Sequence, residues 1–184
     1  MKPIFTVHAG EYLIASYLEL KLKPCQAWIP SKDTGIDLLL TNLEARKQLG
    51  IQVKFSKDFL VTNMSAAFHK GLLACGWWTL NRDKIRSSKA NFWIFVLYSF
   101  DKREAQYLII KPTNLLDQLR TIHGNTKSIN TYFWVTNNKK CWETRGLNKS
   151  DQLLIAEHKY NKNANRDLSN YLNDWASIKA KLKN

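Results

Sequence analysis

The sequence predicts an α/β fold. Phe92 to Phe100 is an almost unbroken run of β-forming apolar residues, the pattern of a central strand covered on both faces. Ile51 to Ser56 alternates, with Ile51, Val53 and Phe55 on one face and Gln52 and Lys54 on the other, the period of two that marks a strand. Around these strands the chain reads helix, strand cluster, helix, strands, helix, which is an α/β order.

Taken in order, the first element is a helix from Gly10 to Leu22. Ile14, Ala15, Leu18 and Leu22 recur at helical spacing, and Glu11 falls on the same stripe one turn ahead, toward the core side. Pro24 stops this helix by Lys23. Gln26 to Ile29 is a short strand, Pro30 to Gly35 carries turn residues, and Ile36 to Thr41 is an apolar run of strand length, so the two strands form a hairpin-like pair. Asn42 to Gly50 reads as a polar connection, and Leu60 to Cys75 has no decided period. Trp77 to Leu80 reads as a short aromatic strand, followed by a basic turn with Arg82, Lys84, Arg86 and Lys89. Gln106 to Ile110 is another strand, and Pro112 opens a helix through Arg120 that Gly124 closes. Tyr132 to Thr136 and Lys140 to Glu143 are late strands. Lys159 to Arg166 is a polar, basic loop or linker, and Leu168, Leu172, Trp175, Ile178 and Leu182 share one stripe of a closing helix. No repeat or Pro- or Gly-rich linker divides the chain, so residues 1–184 parse as one domain.

At 184 residues with 45% hydrophobic and 12% aromatic side chains, the chain can bury a sizeable core, which excludes intrinsic disorder. The 28 Lys and Arg outweigh the 15 Asp and Glu to give a net charge of +13, a field that concentrates polyanions and makes nucleic acid the expected partner. No stretch approaches the roughly 18 apolar residues of a spanning helix, so no membrane partner is expected. Cys25, Cys75 and Cys141 are odd in number, far apart and flanked by apolar residues, as reduced core thiols are. With no signal region in Met1-Lys2-Pro3-Ile4-Phe5, the expected location is cytoplasmic. His8, His69, His123 and His158 are scattered, so any metal is expected on oxygen rather than on a zinc cluster.

The chemistry lies in two short interruptions of apolar runs. Phosphodiester hydrolysis needs a divalent ion to neutralise the phosphate and lower the pKa of an attacking water, and such an ion takes hard oxygen ligands. Asp37, in Gly35-Ile36-Asp37-Leu38-Leu39-Leu40, would be the central ligand; the alternative is an exposed strand-edge acid, against which stands the cost of an unpaired carboxylate beside a run of Leu. Strand parity sends Gln52 and Lys54 to one face, which taken in isolation could also be a solvated strand face. There the Gln52 amide oxygen and the Val53 backbone carbonyl can meet the ion, and Lys54 can orient the water or steady developing charge. Glu11 completes the pocket from the helix; the alternative is that it simply complements the dipole of the first helical turn.

These residues, Gly10-Glu11-Tyr12, Gly35-Ile36-Asp37 and Gln52-Val53-Lys54, resemble the PD-(D/E)xK nuclease superfamily and its restriction-endonuclease-like fold. About the first third of the chain carries the resemblance. It implies a central mixed β-sheet flanked by helices, with Asp37 and Gln52 binding magnesium (Mg2+) or manganese (Mn2+), Lys54 assisting and Glu11 as an accessory acid. Ile36 stands where the namesake proline would be, and Gln52 where an acid is usual. That Gln-x-Lys variant removes one negative charge and weakens binding of a second cation. The catalytic half is then about residues 1–60, and the C-terminal helix about 168–182.

Lys57, Lys70, Arg82, Lys84, Arg86 and Lys89 follow the candidate strand and are expected on phosphates, where they position the backbone without reading sequence. Trp77 and Trp78, interleaved with them, are expected in the core. The sequence therefore leads to a Mg2+-dependent DNA endonuclease. The alternative is a weak or inactive nuclease-fold protein that binds nucleic acid or a protein partner. Structured RNA is the other substrate class compatible with the charge, and two-strand cutting would favour a homodimer.

Overall fold

A computed structural model describes residues 9–22, 25–32, 34–56, 66–99 and 101–183. Helix α1 (Ala9–Lys21) precedes strands β1 (Cys25–Trp28), β2 (Leu38–Asn42) and β3 (Gln48–Ser56). Then come α2 (Ala66–Gly71), β4 (Leu72–Asn81), α3 (Arg82–Arg86), β5 (Phe92–Ser99), β6 (Glu104–Ile110) and α4 (Pro112–His123). The chain continues through β7 (Ser128–Thr136), β8 (Cys141–Glu143), α5 (Lys149–Ala156) and α6 (Trp175–Lys183).

Five strands form one sheet in the order β1-β2-β3-β5-β6, and β4-β7-β8 form a second. Only β3 and β5 pair in parallel in the first sheet, so it is mixed. Such a parallel pair needs a long crossover, supplied here by α2, β4 and α3.

Strand β5 meets the expectation of burial on both faces. Phe92, Ile94 and Val96 pack with Ile14 and Leu18 of α1 and Trp175 and Ile178 of α6. The alternate residues Trp93, Phe95 and Leu97 pack against Trp78 of β4 and Phe133 and Val135 of β7. The outer side of the second sheet is closed by Phe68 of α2 and Ile155 of α5 against Trp134. Thus helices cover one face of the five-stranded sheet, whereas the three-stranded sheet and α4 cover the other. Tyr17 of α1 stacks on Trp175 of α6 at 4.6 Å, and burial, with Tyr17 second, pushes the nearby Tyr107 phenol up to about 12.

Several elements differ from expectation for identifiable reasons. The polar link after Asn42 is shorter than expected, because Leu49 and Gly50 are buried in β3. The basic turn after Leu80 is the short helix α3, whose Lys84 N–H is capped at 3.0 Å by the Asn81 side chain. Helix α5 had no expected counterpart. The stripe from Leu168 becomes α-helical only at Trp175. Before it, Asn173 holds φ at 52°, donates to the Tyr107 carbonyl at 2.6 Å and accepts from the Tyr107 N–H at 2.9 Å. The segment thereby caps the exposed edge of β6, an interaction that outweighs its helical pattern.

The polar segment 159–166 is tied down rather than loose. Lys162 pairs with Asp151 at 2.5 Å, and the Arg166 guanidinium reaches Glu143 at 2.6 Å. Glu143 is fully buried in β8, and Thr131, Tyr132 and Arg145 donate to its Oε1. None of the three cysteines forms a disulfide, all are buried, and burial pushes the thiols of Cys25 and Cys141 up. No described helix is long and apolar enough to cross a membrane.

Candidate active site

The site forms where β3 outruns β2. Register pairs Leu38, the first residue of β2, with Ile51, while β3 runs on to Ser56. The Val53 N–H on that side therefore has no strand partner, and a buried N–H must find an acceptor. It finds Asp37: Oδ2 accepts from Val53 N–H at 2.7 Å and from Gln52 Nε2 at 2.5 Å. Asp37 is itself fixed by its N–H, which donates to the Ile51 carbonyl at 2.8 Å. Gly35, at φ +82°, makes the left-handed bend that brings the chain into this position, a conformation other residues adopt only with strain.

Glu11 arrives from the opposite direction. A Cβ on Gly10 would lie 2.7 Å from the Phe55 Cβ, so only glycine lets the start of α1 rest on β3. The next residue, Glu11, is then held at 6% exposure. A bland role at the helix dipole would leave it in solvent. Instead it lines the same cleft as Asp37, Gln52, Val53 and Lys54.

This cleft has a volume of about 630 Å³ and lies between the two sheets. Its far wall is made by β4 from Trp78 to Asn81, by Lys84 of α3, and by the loop residues Ser87, Ser88 and Lys89. Trp93 joins the walls. Lys54 Nζ sits 5.3 Å from the Trp93 ring centroid, and Trp93 Nε1 donates to Ser88 Oγ at 2.8 Å. An ammonium over an indole face is stabilised by about 0.5–1 kcal/mol at exposed sites, so the aromatic ring helps place the charge.

The structure thus brings together Glu11, Asp37, Gln52, Val53 and Lys54, with Lys84 and Lys89 opposite. It separates the rest of the basic set. Arg82 departs from the phosphate role expected for it: it is 5% exposed, its Nε donates to the Thr126 carbonyl at 2.7 Å, and its Nη2 donates to the Gly124 carbonyl. Its work is to hold the α4–β7 turn. Arg86 lines a different cleft and pairs with Asp83 at 3.3 Å. Lys70 is exposed on α2, away from the cleft, and Lys57 lies outside the described residues. Trp78 is in the core as expected, whereas Trp77 is 44% exposed.

Gln52 also differs from its expected pose. Its amide nitrogen donates to Asp37, and its oxygen turns toward Gly35, where an added Cβ would lie 3.8 Å away. The donor set nonetheless fits a hard cation. Asp37 Oδ1 takes no hydrogen bond among the described residues, Glu11 is a buried carboxylate, and strand geometry turns the Val53 carbonyl to the same edge as its N–H. No three His, Cys, Asp or Glu converge among the described residues, so the charge available is that of two carboxylates, which suits one ion retaining several waters.

Trp93 and Ser88 carried no signal at the level of sequence. Trp93 enters the site because it pairs in parallel register with Gln52, a contact 41 residues distant in the chain. The chain matches no protein family model, no characterised protein and no solved structure.

Proposed function

We propose that this protein is a metal-dependent endonuclease of the PD-(D/E)xK type, with a restriction-endonuclease-like core, that hydrolyses DNA phosphodiester bonds. The observation that carries this reading is the convergence of Glu11, Asp37, Gln52, the Val53 backbone and Lys54 on one cleft whose opposite wall is basic. Glu11 and Asp37 are 26 residues apart in the chain and reach this cleft from separate elements. An arrangement of two acids and an ammonium beside a positively charged wall is suited to a phosphodiester.

Asp37 Oδ1, Glu11 and the Val53 carbonyl would hold a magnesium or manganese ion, which when bound supplies charge neutralisation at the phosphate and a water of lowered pKa. Gln52 contributes by donating to Asp37 Oδ2, which keeps that bond off Oδ1. Lys54, steadied by Trp93, stabilises negative charge that develops on the phosphate oxygens. Lys84 and Lys89 meet flanking phosphates. A cytoplasmic protein with reduced thiols is the setting this chemistry suits. The second reading, a nucleic-acid-binding protein that does not cleave, is favoured by one observation: the amide of Gln52 stands where another carboxylate would strengthen cation binding.

Isothermal titration of Mn2+ into wild type, Asp37→Ala, Gln52→Ala and Gln52→Glu tests the site. The Asp37 variant should lose binding and Gln52→Ala should weaken it. Gln52→Glu places a second carboxylate against Asp37 Oδ2 and should tighten it roughly tenfold, as an added anionic ligand does. Equal affinities in all four proteins would overturn the metal site.

A further inference from the structure

A second cleft, of about 390 Å³, lies on the other side of α3 and shares Ser88 with the candidate active site. Three cations from three separate elements line it: Arg86 of α3, Lys111 immediately before α4, and Lys181 near the end of α6. Among the described residues no carboxylate lines it. We propose that this cleft is a second phosphate-backbone subsite, which receives the nucleic-acid strand as it leaves the candidate active site around Ser88. The proposal rests on the reading of the first cleft as a nucleic-acid site.

Grouping like charges on a protein of net charge +13 is unfavourable unless an anion occupies the space between them. Some other cations of this chain are neutralised locally, Arg120 by Asp117, Lys140 by Asp167 and Arg166 by Glu143. In the second cleft, Lys111 and Lys181 are exposed and have no ion pair among the described residues. Among the described residues Arg86 pairs only with Asp83, at 3.3 Å and with both side chains largely in water, a pairing too weak to compete with a phosphate. The hydroxyl of Thr113 and the amide of Asn91 add neutral donors to the same wall. Guanidinium, ammonium, hydroxyl and amide donors without an acid or an aromatic platform are the chemistry of backbone contact rather than of base recognition. Continuity through Ser88 makes the two clefts one basic path around α3.

Fluorescence anisotropy in EDTA, with the full chain, separates this proposal from cleavage. The variant is Lys111→Gln combined with Lys181→Gln, compared with wild type at the same melting temperature. On a duplex of about 24 base pairs, the double variant should bind roughly tenfold more weakly at low salt, and its log–log salt slope should be shallower by about two, since each phosphate neutralised contributes about 0.9. On a duplex of about 6 base pairs, about 20 Å long and filling only the first cleft, the affinities should agree. Unchanged affinity and slope on the long duplex, or an equal loss on both lengths, would overturn the subsite. Inorganic phosphate that binds wild type but not the variant, while the long duplex binds both equally, would identify a small-anion site instead and also overturn it. A wild type that shows the length dependence yet cuts nothing in either Mg2+ or Mn2+ leaves the subsite standing and removes the nuclease reading.

Discussion

Glu143 and Asp37 are both acids set inside the fold, but their oxygens are satisfied differently. Every direction around Glu143 is filled: Thr131 Oγ1, the Tyr132 N–H and the Arg145 N–H reach Oε1, Arg166 takes Oε2, and His123 Nε2 lies 3.2 Å from Oε1, off the line a hydrogen bond needs. Among the described residues both donors to Asp37 meet Oδ2 and none meets Oδ1, and the residue lines a cleft with Lys54, Lys84 and Lys89 on its walls. A carboxylate closed in by donors has nothing left to bind and serves the fold. One with an oxygen that takes no donor, in a cleft lined by cations, is available for chemistry. Burial differs as well, Glu143 being fully buried and Asp37 only partly so.

The comparison breaks most readily at Glu143. Replacing it with Ala leaves the Arg166 guanidinium nearly buried without its counter-charge, which should cost about 3–5 kcal/mol in urea unfolding. Asp37→Ala removes a half-buried carboxylate from two part-buried donors at the mouth of a cleft, and should cost about 1 kcal/mol in the same measurement. A reversed order, with Asp37 the costlier loss, would make Asp37 the structural acid and break the contrast. A smaller effect sharpens it from the side of the cations. Trp93→Leu removes the aromatic face under Lys54 and should lower the cleavage rate of the folded fraction by about fivefold, the equivalent of about 1 kcal/mol. Trp93→Phe keeps a π-face and should lose less. Equal rates in both variants would mean that the ring does not place the ammonium.

Much of this arrangement was legible in the residues, and the remainder was not for definite reasons. Period-two alternation put Gln52 and Lys54 on one face of β3, and helical spacing put Glu11 on the core side of α1, so the near wall of the cleft could be read locally. The far wall depends on how β3 finds β5 and on the second sheet lying over that face, pairings between segments far apart in the chain. For that reason Trp93 and Ser88 gave no sign of a site, and Arg82, alike in type to its basic neighbours, could not be told from them. Its carbonyl partners come from the turn at Gly124 to Thr126. The expected helix from Leu168 failed in the same way: its stripe was sound, but Asn173 found the edge of β6, which the local pattern cannot register.

The most direct test is supercoiled-plasmid nicking by wild type and Asp37→Ala, each in Mn2+ or Mg2+ and again with EDTA. The account predicts that wild type nicks only with metal, and that Asp37→Ala, still folded, is slower by about a thousandfold or more, the several kcal/mol that such an ion contributes to the transition state. Nicking that survives EDTA, persists in Asp37→Ala, or fails to occur for wild type in either metal would contradict it.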